Sequence, residues 1–146
     1  MSGSSAAPER YLPEETESLY DVLSAKNIPT FGFCGGMQAM AHSYGHQLTP
    51  LADGVTESGY SEVRLQPGHP VLQGLGPTEI VRHAHSLQVA DTPSGFQIIG
   101  STDLTTNQMM VDDENKLVAT QFHPEFFTDE HPAGKTMIQN FMKWVL

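Results

Sequence analysis

Ile28-Pro29-Thr30-Phe31-Gly32-Phe33-Cys34-Gly35-Gly36-Met37-Gln38-Ala39-Met40 is the stretch on which the fold turns. A short apolar run reaches a glycine, then the single cysteine of the chain, then two more glycines and a helix-forming segment. That order predicts a strand, a sharp turn and a helix. Gly32-x-Cys34-x-Gly36 has the form of the G-x-S-x-G nucleophile elbow with sulfur in place of oxygen. Residues two before and two after such a turn crowd one another, so glycine fits best at both. The thiol is left at a helix N-terminus, where unpaired N–H groups and the helix dipole favour an anion. A lone cysteine is more often a small buried hydrophobe. Glycines at both elbow positions after an apolar strand reverse that balance.

The 146 residues suit one domain, 1–146, with room for a genuine core. Composition is ordinary for a globular chain: 38% hydrophobic, with 13 Gly and 10 Pro to make turns. A formal charge of −10 with only 7 Lys and Arg argues against nucleic acid or an anionic membrane surface as partner. One cysteine excludes an intrachain disulfide, which fits a reducing compartment. With no long apolar run and no signal-type segment after Met1, the expected location is the cytoplasm.

Met1 to Pro13 reads as loop. A helix follows, with Glu14, Glu15 and Glu17 at its start and Leu19, Val22 and Leu23 facing inward. Beyond the elbow helix, Gly35 to Ser43, comes a β-rich middle with strands at Tyr60 to Leu65, Thr78 to Arg82 and Phe96 to Ser101. Asn107 to Val111 and Lys116 to Phe122 form a hairpin around the acidic turn Asp112 to Asn115. Thr136 to Leu146 is a final helix with Met137, Phe141, Trp144 and Val145 on one face. This order predicts a three-layer α/β domain with an inserted, mainly antiparallel section. Only one helix precedes the elbow strand, so the N-terminal βα units of a doubly wound sheet are expected to be absent or supplied by a complementing chain.

A cysteine nucleophile needs a base, and the base an orienting group. Among the seven histidines, His123 ends an apolar strand within Gln121-Phe122-His123-Pro124-Glu125. The proline stops the ladder, so His123 and Glu125 leave the strand end together. Carboxyl ends of strands are where α/β sheets carry their chemistry. Glu125 can accept from one imidazole nitrogen while the other faces Cys34. A plain surface turn is the bland alternative for this tripeptide.

Gly32-Phe33-Cys34-Gly35-Gly36-Met37-Gln38 and Gln121-Phe122-His123-Pro124-Glu125 together resemble the two signatures of class I (triad-type) glutamine amidotransferases. His85-Ser86-Leu87 is similar to the His-Ser-Leu segment of anthranilate synthase and aminodeoxychorismate synthase glutaminase subunits. Gly134 through Asn140-Phe141 resembles the family's last helix. The resemblance implies a flavodoxin-like three-layer fold and glutamine as substrate, with no cofactor. It implies that Cys34 attacks the side-chain amide to give a γ-glutamyl thioester, that His123 carries the proton and that Glu125 holds His123. Gly35 would supply one oxyanion donor. Gly3, in Ser2-Gly3-Ser4, would supply the other from a glycine-rich loop. Gln38 and the Ser86–Leu87 backbone would hold the amino-acid end of the substrate. A synthase or synthetase receiving the ammonia is the implied partner.

Other clusters are less informative. His83 and His85 alternate along a strand and share a face, but the sequence places no third ligand near them, so no metal is expected. His42 and His46 are read as solvent-facing, and Met109-Met110 as core. Two alternatives stay open: a γ-glutamyl hydrolase of the same fold, and a non-catalytic module that binds a partner through its elbow face.

Overall fold

A computed structural model describes residues 19–23, 28–52 and 54–146. Residues 19–23 are helical, and most of the helix expected after Pro13 lies outside the described residues. Strand β1 (Thr30–Phe33) feeds helix α1 (Gly35–Ser43) through the elbow. The middle holds β2 (Leu48–Pro50), β3 (Glu57–Leu65), β4 (Thr78–His85), β5 (Leu87–Val89) and β6 (Gln97–Ser101). The hairpin β7 (Met109–Asp112) and β8 (Leu117–Thr120) follows, and helix α2 (Ala133–Val145) closes the described chain.

Six strands form one mixed sheet in the order β1-β8-β7-β6-β3-β4, while β2 and β5 make a separate ribbon. Among the described residues β1 and β8 are the parallel pair, with Phe33 opposite Thr120, and the other ladders are antiparallel. The antiparallel section is thus part of the main sheet, and it reaches from β8 outward.

Alternation along the hairpin divides the core into two layers. Val118, Met109 and Val111 join Phe31, Val63 and Val81 under Met137 and Phe141 of α2. Leu117, Ala119 and Met110 point the other way and meet Met37, Met40 and Ala41 of α1, together with Leu23. Helix, sheet, helix is the three-layer arrangement expected from the sequence. Met109 and Met110 are both fully buried, one in each layer.

Two glycines allow backbones to approach where a side chain could not. At Gly32 an added Cβ would lie 2.9 Å from the Gly36 carbonyl carbon, which is the crowding anticipated across the elbow. At Gly134 it would lie 2.1 Å from the Pro124 carbonyl oxygen. The first turn of α2 therefore rests directly on the segment after His123. Asn140 ties the same helix to the turn at Pro70–Leu72 by donating to Val71 O at 3.1 Å and Gln73 O at 2.8 Å.

Candidate active site at the ends of β1 and β8

Cys34 follows β1 and caps the N-terminus of α1 with φ 46° and ψ −103°. A non-glycine residue held there stores on the order of 1–3 kcal/mol of strain, which the flanking layers must offset. The backbone N–H of Cys34 is anchored by donating to Thr120 O at 2.7 Å. The parallel register sets Phe33 beside Thr120, so the residues just past each strand, Cys34 and Gln121, lie side by side.

Cys34 is 9% exposed, and the neighbours of its sulfur are polar. Gln121 Nε2 approaches Sγ at 3.6 Å, and Ala84 O lies 4.0 Å away. His123 comes in from the end of β8, where its N–H donates to Arg82 O at 2.8 Å and adds a bridge to β4. Its Nδ1 lies 2.8 Å from Glu125 Oε1. A carboxylate only accepts, so Nδ1 carries the proton and Nε2 is the nitrogen left for the sulfur. Pro124 to Phe126 form a single 3₁₀ turn that folds Glu125 back onto the ring.

The His123 pKa is pushed up from 6.5 to about 9. The hydrogen bond with Cys34 is the largest cause; burial opposes it, and the bond to Glu125 adds to it. An imidazolium beside a sulfur at a helix N-terminus is equipped to donate a proton to a departing group and then take one from water.

The remaining sequence-predicted residues fall into three groups. Gly35 opens α1, where the first-turn N–H groups have no intrahelical acceptor and point toward the elbow. Gln38 is buried, and its Nε2 donates to Gln121 Oε1 at 3.3 Å, so its amide is engaged within the protein. Ser86 and Leu87 form the turn between β4 and β5, beside the Ala84 carbonyl that faces the sulfur. Gly3 lies outside the described residues. His42 and His46 are half-buried rather than solvent-facing, and the loop after α1 folds back on the helix end, His46 N–H donating to Ala41 O at 3.0 Å.

Sequence reading missed two contributors. Gln121 was present in the motif, and its parity with His123 on the same strand end was the available signal. Glu57 stands at the head of β3, opposite His85 in register, three residues before the expected start of that strand. It supplies the third group that the sequence failed to place near His83 and His85. The three offer ligand atoms within 4.8 Å of one another. Both Glu57 oxygens are already occupied: Oε1 accepts from Thr102 Oγ1 at 2.6 Å, and Oε2 from Thr105 Oγ1 at 2.7 Å and from Gln108. His83 is fully buried, its ring is turned to the Ser61 backbone, and burial pushes its pKa down.

The glutamine amidotransferase class-I family matches residues 2–144. The chain belongs to this family. Among curated class-I relatives, GMP synthase (glutamine-hydrolyzing) of Symbiobacterium thermophilum is 35% identical over 145 residues, covering 97% of this chain and 26% of its own length. The GMP synthase (glutamine-hydrolyzing) of Oleidesulfovibrio alaskensis is 33% identical over 140 residues, covering 94% of this chain and 26% of its own length. The chain thus spans about a quarter of the length of these relatives. Among solved amidotransferase folds, a glutamine amidotransferase of Thermotoga maritima superposes with TM-score 0.75 at 23% identity, over 97% of this chain and 60% of that one. A candidate GMP synthase component from Thermoplasma acidophilum gives TM-score 0.83 at 23% identity, over 98% of this chain and 69% of that one. No helix among the described residues of this amidotransferase domain is long and apolar enough to cross a membrane.

Proposed function

We propose that this class-I domain is a glutaminase that releases ammonia from the side chain of glutamine for use by a synthetase. The observation that carries the reading is the strained elbow that sets Cys34 at the end of β1, beside the end of β8 from which Gln121 and then the Glu125-held His123 leave. In the first half-reaction the Cys34 thiolate attacks the amide carbon of the substrate. The C–N bond breaks, the His123 Nε2 proton passes to the nitrogen, and ammonia leaves a γ-glutamyl thioester. In the second half-reaction water gives a proton to the now neutral His123, attacks the thioester and releases glutamate. Glu125 keeps the Nδ1–H tautomer throughout.

The N–H of Gly35 faces the developing oxyanion, and the second donor is the one the resemblance assigns to Gly3, outside the described residues. One such donor is worth on the order of 10²–10³ in rate. Buried Gln38 acts by bracing Gln121 beside the sulfur. The Ser86–Leu87 backbone receives the amino-acid end of glutamine. Similarity to glutamine-hydrolyzing GMP synthases favours a GMP-forming synthetase as the consumer of the ammonia. Ammonia release from glutamine tests the chemistry. Turnover is expected with the wild-type residue and is lost in Cys34→Ala; equal rates in the two would overturn the proposal.

A further inference from the structure

A second histidine–carboxylate pair lies behind the first, and nothing in the reaction just described uses it. Glu57 Oε2 stands 2.9 Å from His85 Nε2, and both residues are 7% exposed. Glu57 is fixed from three sides by Thr102, Thr105 and Gln108. On the far side of the imidazole, His85 Nδ1 lies 2.9 Å from Leu87 O. A carbonyl oxygen only accepts, so Nδ1–H is the donor and the ring closes the turn 85–87 upon itself; Nε2 of the neutral ring then accepts, and it faces Gln108 Nε2 at 3.4 Å, which in turn donates to Glu57 Oε2. The same turn is gripped from outside by Leu51, whose N–H donates to Ser86 O at 2.8 Å. Immediately before it, Ala84 O faces the Cys34 sulfur.

We infer that Glu57 and His85 are positioning residues: Glu57, through Gln108, orients the His85 ring, and the ring's Nδ1–H on Leu87 O sets the Ser86–Leu87 turn to receive the α-amino and α-carboxylate groups of glutamine. This rests on the glutaminase reading of the same site. An amide of the substrate reacts at Cys34, while its other end must be held several ångströms away. The turn that begins beside the sulfur and is braced by a buried histidine–carboxylate pair is suited to that task. Interactions with the non-reacting end of a substrate are made equally in the ground state and the transition state, so their loss raises KM and leaves kcat nearly constant.

Steady-state ammonia release from glutamine tests this with three variants. Glu57→Gln is expected to raise KM about tenfold or more while kcat changes by less than about threefold. His85→Gln places an amide nitrogen near the Nε2 position, keeps the contact with Glu57 and loses the bond to Leu87 O, so it should behave like Glu57→Gln. His85→Asn places its amide nitrogen near Nδ1 and keeps the bond to Leu87 O but loses the contact on the Glu57 side, so its KM should lie between those of wild type and His85→Gln. A purely structural role would lower the active fraction, moving apparent kcat and sparing KM. The inference fails if Glu57→Gln and His85→Gln keep the wild-type KM, or if His85→Asn is no better than His85→Gln. It also fails if the purified protein carries one zinc per chain that Glu57→Gln removes, because the carboxylate would then be a metal ligand. Should Glu57→Gln not fold, the two His85 variants decide the matter. A wild-type protein that releases no ammonia overturns the glutaminase reading and this inference together; an active wild type with unaltered variants overturns this inference alone.

Discussion

His123 and Glu125 meet at 2.8 Å, and His85 and Glu57 meet at 2.9 Å, yet the two imidazoles are pushed in opposite directions. His123 rises to about 9, whereas His85 falls below its ordinary 6.5. Separation from the carboxylate does not distinguish them. Surroundings do. His123 is raised first by its bond with Cys34. His85 is lowered first by burial, which outweighs what Leu87 O and Glu57 contribute, and the nearby His123 charge lowers it further. In the proposed reaction one pair exchanges a proton, and in the further inference the other holds a piece of backbone still. A histidine–carboxylate contact therefore says little about role until the third neighbour of the ring is known.

Substitution of the rings should separate the pairs most. His123→Gln removes the proton carrier and is expected to cut kcat for glutamine by about 10²–10⁴-fold, against the KM effect expected at Glu57 and His85. Initial rates over a range of glutamine concentration check this. Glu125→Gln leaves the ring but weakens its orientation, and a smaller fall, about 10–10²-fold in kcat, is expected from the same assay. Gly134→Ala presses a methyl group onto the Pro124 carbonyl beside His123. It should cost about 1–3 kcal/mol in denaturant unfolding and reduce kcat without a matching change at the His85 turn.

Proton linkage sharpens the contrast. His123 has a raised folded pKa, so the stability it contributes is fully present below 6.5 and is lost as pH rises through about 9. His85 has a lowered one, so its contribution is present above 6.5 and is lost as pH falls below that value. Thermal midpoints of His123→Gln should thus approach wild type toward pH values above about 9, and those of His85→Asn toward acid. The smallest effect belongs to a third ion pair, the exposed Arg64–Asp103 contact at 2.7 Å. Arg64→Ala should change stability by no more than about 0.5–1 kcal/mol despite that short distance.

The same contrast governs how much of the molecule could be read from its sequence. The elbow was legible because its requirements are local. Gly32 and Gly36 must approach within two residues of Cys34, and α1 runs from Gly35 to Ser43 as the residues indicated. His123 and Glu125 were legible because a proline between them fixes their relationship. Glu57 was not, since its partners lie far along the chain, Gln108 being 51 positions away. Alternation along the sequence marks its strand only from Tyr60, whereas antiparallel pairing carries β3 back to Glu57. The three-residue strands β2 and β5 have too little periodicity to stand out. Helix α2 begins at Ala133 rather than Thr136, because Gly134 serves there as a close-approach residue and not as a helix breaker. Gly3, assigned with Gly35 to the oxyanion hole from the resemblance, lies outside the described residues.

The central claim is that Cys34 is a nucleophile toward the side-chain amide of glutamine. Its most direct test is covalent labelling by an electrophilic glutamine analogue, followed by peptide mass spectrometry. One adduct per chain is expected on the peptide carrying Cys34, slowed by excess glutamine and nearly absent in His123→Gln. Labelling that glutamine does not slow, or no adduct on Cys34 at all, would contradict the account.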